Sequence, residues 1–191
     1  MPLGAARFGL LGGAEVDLGK LELIETQTFS GVTAVDFTSI DESTYNVHFM
    51  TISNVDFSGG QSSLGFQFYE SGVLETASVY QYANQYGDTT GFFTESKSTG
   101  RDVIFINIAN FGAASTDSGH TYAYLYNLGD SSKHSYVTQQ GVLEDSGVLK
   151  MHFGSGVLPQ ASTVNGIRLK ESIGGGATVS GTASLYGIAE S

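Results

Sequence analysis

The stretch Tyr45-Asn46-Val47-His48-Phe49-Met50-Thr51-Ile52 decides the reading of the chain. Tyr45, Val47 and Phe49 share one side of an extended backbone, and His48 falls on the other. A period of two marks a half-buried β-strand, because successive side chains leave opposite faces of a pleated ribbon. Upstream, Leu21, Leu23 and then Thr26 or Thr28 alternate with Glu22, Ile24 and Glu25, and Val35 shares a face with Phe37. Downstream the pattern returns at Leu64, Phe66 and Phe68, at Val79 to Tyr82, and at Val103 to Ala109, the most apolar run. It continues at Tyr122 to Leu128, Ser135 to Gln139, Leu149 to Phe153, Ile167 to Leu169 and Thr182 to Ile188.

Turn chemistry separates these runs. Asp41-Glu42-Ser43, Gly59-Gly60, Glu70-Ser71-Gly72, Asp117-Ser118-Gly119, Gly129-Asp130, Asp145-Ser146-Gly147 and Gly174-Gly175-Gly176 are loop signals. The longer spacer from Asn84 to Arg101 reads as a loop crossing between sheets. Short strands, frequent turns and no helical periodicity predict an antiparallel sandwich or barrel. No fixed-period repeat appears, which argues against a solenoid or propeller.

The bulk composition agrees with one globular domain. The chain has 191 residues, 40% hydrophobic and only 14% charged, enough to bury a core and too little charge for a disordered chain. Its 23 Ser and 17 Thr make hydroxyls a large part of the solvated surface. The formal net charge of −11 repels a phosphate backbone, and no basic run offsets it, so no nucleic-acid partner is expected. With no cysteine, disulfides and thiolate metal sites are excluded. No stretch reaches the roughly 18 apolar residues of a membrane helix, so no membrane insertion is expected.

Residues 1–19 differ from the rest. They are rich in Gly and Ala and do not alternate. Glycines and Arg7 interrupt the apolar run, so it does not read as a secretion signal. We read 1–19 as an extended anchoring arm whose Phe8, Leu10 and Leu11 supply apolar contacts, and 20–191 as the β-domain.

Of the aromatic residues, 12 are Phe and 10 are Tyr, and none is Trp. Alternating Phe residues suit a core between two sheets. The tyrosines cluster as Tyr80, Tyr82 and Tyr86, and as Tyr122, Tyr124 and Tyr126. Spacing by two puts the second set on one strand face. Such a row is either a half-buried face with wet hydroxyls or an interface and ligand platform, since tyrosine is apolar at one end and polar at the other. Tyr80, Tyr82, Tyr122, Tyr124 and Tyr126 are therefore the candidate platform residues.

Catalytic chemistry finds little to stand on. His48, His120, His134 and His152 show no metal-pair spacing within one element, and each reads as structural or solvated. Gly154-Ser155-Gly156 lacks the strand-to-helix setting of a nucleophile elbow. Gly174-Gly175-Gly176 has no following Lys-Ser or Lys-Thr, so it is no phosphate loop. The acid pairs Asp41/Glu42 and Glu144/Asp145 sit in turns, where carboxylates accept local hydrogen bonds, and Glu22/Glu25 is a third pair. Asp117, Asp130 and Asp145 lie in loops with oxygen-bearing neighbours, but none matches a calcium-loop pattern. The expectation is a non-enzyme with no cofactor and no metal.

Three segments carry a resemblance. Leu21-Glu22-Leu23-Ile24-Glu25-Thr26 leads to Val35-Asp36-Phe37-Thr38-Ser39-Ile40, then comes Tyr45-Asn46-Val47-His48-Phe49, and the chain closes on Gly181-Thr182-Ala183-Ser184-Leu185-Tyr186-Gly187-Ile188. In this order they resemble virion structural proteins of tailed bacteriophages, many from marine phages, across roughly Lys20 to Ala189. The resemblance implies a jelly-roll-like, antiparallel two-sheet β-sandwich used in tail fibres, head fibres or capsid decoration, and it brings no catalytic residue. It implies a place on the virion after assembly in the host cytoplasm, partners among other virion proteins and, as is common in viral fibres, a homotrimer. Loops at the far end would contact a host surface glycan or protein. A free carbohydrate-binding module is the alternative of another class, and the absence of Trp counts against it.

Overall fold

The computed structural model describes residues 20–58, 62–106, 117–172 and 176–189. Their strands are β1 (Leu21–Val32), β2 (Ala34–Phe37), β3 (Val47–Phe57), β4 (Leu64–Glu70), β5 (Val73–Leu74), β6 (Tyr80–Asp88), β7 (Phe93–Arg101), β8 (Ile104–Phe105), β9 (Gly119–Tyr126), β10 (Ser135–Asp145), β11 (Val148–Leu158), β12 (Val164–Glu171) and β13 (Val179–Ile188). They form an antiparallel, two-sheet, jelly-roll-like β-sandwich. The larger sheet has eight strands in the order β1-β13-β3-β9-β10-β11-β6-β7. The smaller sheet runs β2-β12-β4-β5, with β8 also on β4.

The chain crosses between the sheets repeatedly, and three of the crossings run side by side. β1–β2, β3–β4 and β12–β13 each pass from one sheet to the other. Their order is the same on both sides: β1-β13-β3 in the large sheet and β2-β12-β4 in the small one. Between the sheets, Phe37, Phe66, Phe68, Ile167 and Leu169 meet Met50, Ile52, Leu125, Val137 and Leu185, all fully buried. Burying a side chain of this size contributes about 1.5–3 kcal/mol, so the alternating inner-face residues supply the main driving force.

Two of the predicted turns are two-residue hairpins with both residues at positive φ. Ser71 and Gly72 (49° and 85°) join β4 to β5, and Ser146 and Gly147 (54° and 83°) join β10 to β11. That geometry matches the right-handed twist of the flanking strands.

Several expectations need correction. The spacer from Asn84 to Arg101 is no sheet-to-sheet loop. It is the β6–β7 hairpin at the edge of the large sheet, with Tyr86 opposite Thr94 and Ala83 opposite Lys97. The Asp88 carboxylate closes its turn by accepting from Thr90 N, Thr90 Oγ1 and Phe92 N. β7 escaped notice because an edge strand needs no apolar face, and its Lys97–Glu95 pair blunts the open edge.

In β1, Leu21 and Leu23 do not reach the core. A bulge between Leu23 and Glu25 shifts the alternation, so Phe29 turns inward while both leucines stay exposed. In β3 the inner residues are His48, Met50 and Ile52, and Val47 and Phe49 face outward. Tyr45 leaves that row, for its ring covers Gly187, the inner-face partner of His48. Of the apolar run Val103 to Ala109, Ile104–Phe105 form β8, and residues 107–116 lie outside the described residues. So do the arm residues Phe8, Leu10 and Leu11, and Gly174 and Gly175.

Two histidines are built into the core. His48 Nε2 donates to Ile40 O at 2.6 Å, and His152 Nε2 pairs with Thr121 Oγ1 at 3.1 Å. The His152 imidazole lies across Gly141, where an added Cβ would stand 2.6 Å from Cε1 and 2.5 Å from His120 O. Burial pushes His152 down to about 4. Burial also lowers His48, against the opposing pull of its bond to Ile40.

Both rings are therefore neutral in the fold, whereas in the unfolded chain they take up protons near 6.5. Stability is then complete above that value and falls as the pH drops through the window down to about 4. At 1.36 kcal/mol per pH unit, His152 alone removes about 2 kcal/mol between about pH 7.5 and pH 5. Urea denaturation at the two pH values should show that loss, and His152→Asn should lessen it. A flat profile would contradict the neutral buried rings.

A candidate binding face on the eight-stranded sheet

The inner strands of the large sheet commit alternate side chains to the core, and the opposite side of the sheet makes one outer face. Its registers can be followed strand by strand. The row Leu23–Tyr186–Phe49–Tyr124 crosses β1, β13, β3 and β9. The same row continues as Thr138–Ser155–Ala83–Lys97 across β10, β11, β6 and β7. The first half is aromatic and aliphatic, and the second half is small and polar. The next row repeats the apolar start with Leu21, Ile188, Val47 and Tyr126.

Phe49 is the hub of the aromatic half. Its ring lies 4.9 Å from Tyr124, 6.0 Å from Tyr122 and 6.2 Å from Tyr186, centroid to centroid. Tyr124 stacks on Tyr126 at 6.5 Å. Such pairs are worth about 0.5–1.5 kcal/mol each beyond their burial, so they fix these rings in place at the surface. Leu23 and Leu21 extend the patch to the sheet edge at 59% and 51% exposure. The Tyr122 hydroxyl donates to Gln140 Oε1 at 2.9 Å, which tethers that ring at its polar end.

On the small-residue half, the low floor of Thr138, Ser155 and Ala83 leaves a cleft of about 1080 Å³. Tyr126, Tyr136, Val157 and Gln81 form the adjacent row, in register across β9, β10, β11 and β6, and Lys97 and Thr99 of β7 complete the lining. A second depression of about 490 Å³ shares Ala83, Lys97, Thr138 and Ser155 with it and reaches Phe153 and Glu95. Glu95 is paired with Lys97 at 2.6 Å, and that contact holds its carboxyl below the usual range.

The outer face of the small sheet has another chemistry. Arg168 grips Asp36 through two bonds of 2.7 and 2.8 Å and also donates to Tyr69 Oη at 3.0 Å. The guanidinium lowers the Asp36 carboxyl. Arg168, Asp36 and Tyr69 thus satisfy one another within the small sheet, whereas Leu21, Leu23 and Tyr122 of the large sheet are exposed among the described residues.

The sequence candidates divide accordingly. Tyr122, Tyr124 and Tyr126 share the outer face, as their spacing requires. Tyr80 and Tyr82 do not join them and are no platform. Their strand turns even-numbered side chains inward, leaving Tyr80 fully buried and Tyr82 only 7% exposed. Tyr80 Oη donates to Glu75 O and accepts from Phe68 N, and burial raises it well above its normal value. Tyr82 packs on Phe105 and meets Ser96 Oγ. Phe49, Tyr186 and Tyr136 belong to the face but were not singled out, because alternation assigns each to one side of its strand without telling which side is outer.

The loop carboxylates act as local acceptors. Asp130 takes Ser132 N and Oγ, Asp145 takes Lys150, and Asp117 takes Ser146 N. Among the described residues, no group of three or more His, Asp or Glu is placed to hold a metal ion.

No family model matches the chain, and no curated protein matches it. Among solved structures, it is similar to a human SPRY domain at 9% identity, over 86% of this chain and 94% of that one, with a TM-score of 0.35. A fructofuranosidase from Schwanniomyces occidentalis aligns at 7% identity over 90% of this chain and 34% of that one, with a TM-score of 0.19.

Tyr80→Phe leaves the Phe68 amide without its buried acceptor, so it should cost about 1–3 kcal/mol in urea denaturation. An unchanged midpoint would return Tyr80 to the list of surface candidates.

Proposed function

We propose that the chain is a non-enzymatic structural protein of a tailed-phage particle. It is a tail- or head-fibre component that assembles with copies of itself, as a homotrimer, and with neighbouring virion proteins, and it presents a surface to the host. The observation that supports this reading best is the aromatic half of the large sheet. Phe49, Tyr124, Tyr186 and Leu23 form a continuous, ordered, outward patch on a chain whose charge is otherwise acidic and whose small sheet is polar. Contiguous exposed apolar area of this kind marks an interaction surface, and homo-oligomer interfaces are the more apolar class.

The arm, with Phe8, Leu10 and Leu11, fits the same role, since it joins the sandwich at Leu21, the exposed end of that patch. A capsid decoration protein would use the same face, and its position on the particle separates the two.

The proposal is tested with Leu23→Glu combined with Tyr124→Glu. Both positions are on the outer face, so the chain should stay folded, with a thermal midpoint lowered by up to about 10 °C through the lost Tyr124 contacts with Phe49 and Tyr126. Sedimentation should shift to the monomer, and the variant should be lost from purified particles when it replaces the wild-type chain during infection. Incorporation at wild-type copy number, or absence of the wild-type chain from particles by mass spectrometry, would contradict the reading.

A further inference from the structure

We infer that the cleft on the small-residue half of the large sheet binds a neutral, linear oligosaccharide. This deepens the host-contact part of the function proposed above and rests on it for the biological setting alone.

The floor explains why the ligand is not a peptide strand. β6, β10 and β11 each have a hydrogen-bonded neighbour on both sides, so their backbone groups are already spent. An extended peptide laid across them would find no ladder, and strand addition needs a free edge. A sugar chain carries hydroxyls that side chains can satisfy. Thr138 and Ser155 offer hydroxyls from the floor, and Gln81 offers an amide from the side.

The walls supply the apolar complement. Tyr136, at 45% exposure, and Tyr126 flank the floor with rings available to the C–H faces of a pyranose. Tyr126 Oη lies 3.4 Å from Thr138 Oγ1, a contact long enough to yield to a ligand hydroxyl.

Charge points to a neutral ligand. No carboxylate lines the larger depression, and its Lys97 is already matched by Glu95. The net charge of −11 disfavours an anionic polymer. The volume, about 1080 Å³ with a connected 490 Å³, exceeds the needs of one sugar and suits a short chain lying along β6 and β11.

The test uses the full chain, amide-resolved NMR and four probes: N-acetylchitotetraose, cellotetraose, mannotetraose and the anionic tetragalacturonate. At least one neutral tetramer should give saturable shifts centred on Ala83, Thr138 and Ser155. Tyr136→Ala should weaken binding on the order of ten-fold. Ser155→Phe, which fills the exposed floor, should abolish it while leaving sedimentation and particle incorporation unchanged. Absence of saturable shifts with all three neutral tetramers, or binding of tetragalacturonate alone, overturns the inference. If Ser155→Phe dissociates the assembly and no sugar binds, the cleft belongs to a second copy of the chain, which also overturns it. The sugar titrations do not bear on whether the chain is present in the particle, so the two readings fail separately.

Discussion

Strand β13 lies between β1 and β3, so the last strand of the chain is hydrogen-bonded on both edges by two of the first. The rest of the sandwich depends on that insertion. β13 brings Leu185 and Ala183 to the core, and β12 carries the same ribbon into the small sheet with Ile167 and Leu169. Without it, β1 would have no partner in the large sheet, and the two sheets would lose the β12–β13 connection. The pairing joins residues such as Thr26 and Ser184, which even share a side-chain hydrogen bond of 2.8 Å. Contacts at that sequence separation carry a high loop-closure cost, and the fold gains from them only once most of the core is in place.

Closing the sheet this way also builds the outer face. The row that begins at Leu23 could not reach Tyr124 unless Tyr186 of the closing strand stood between them and Phe49. The aromatic patch is therefore a product of topology, assembled from four strands that are distant in sequence. The cleft beside it comes from local hairpins, β9 to β10 to β11 and β6 to β7, with small residues in register. One sheet thus carries, side by side, an aromatic row and a cleft floored by Thr138, Ser155 and Ala83.

Much of the fold was legible because alternation and turn chemistry are local properties. Val35 with Phe37, the outward row Tyr122, Tyr124 and Tyr126, and the Ser71-Gly72 and Ser146-Gly147 hairpins follow from a few neighbouring residues. What local pattern does not carry is phase. A strand with apolar residues on both sides, such as β3, does not reveal which side is inner, and a buried His48 between Val47 and Phe49 hides the answer further. Tyr80 and Tyr82 failed as surface candidates for the same reason. Tyrosine suits either face, and only the pairing of β6 with β11 decides. The bulge after Leu23 and the polar edge strand β7 were invisible because each obeys a rule about neighbours in space. The binding face as a whole needed the strand order, since each of the eight strands contributes a single residue to the Leu23-to-Lys97 row.

The measurement that bears most directly on this account is a cryo-electron reconstruction of the assembled particle at side-chain resolution. The account predicts that the aromatic half of the eight-stranded sheet, around Phe49 and Tyr124, is covered by a neighbouring subunit while the Thr138–Ser155–Ala83 floor stays open to solvent. A reconstruction in which the Arg168–Asp36 face of the small sheet makes the contacts, and Phe49 and Tyr124 face open solvent, would contradict it.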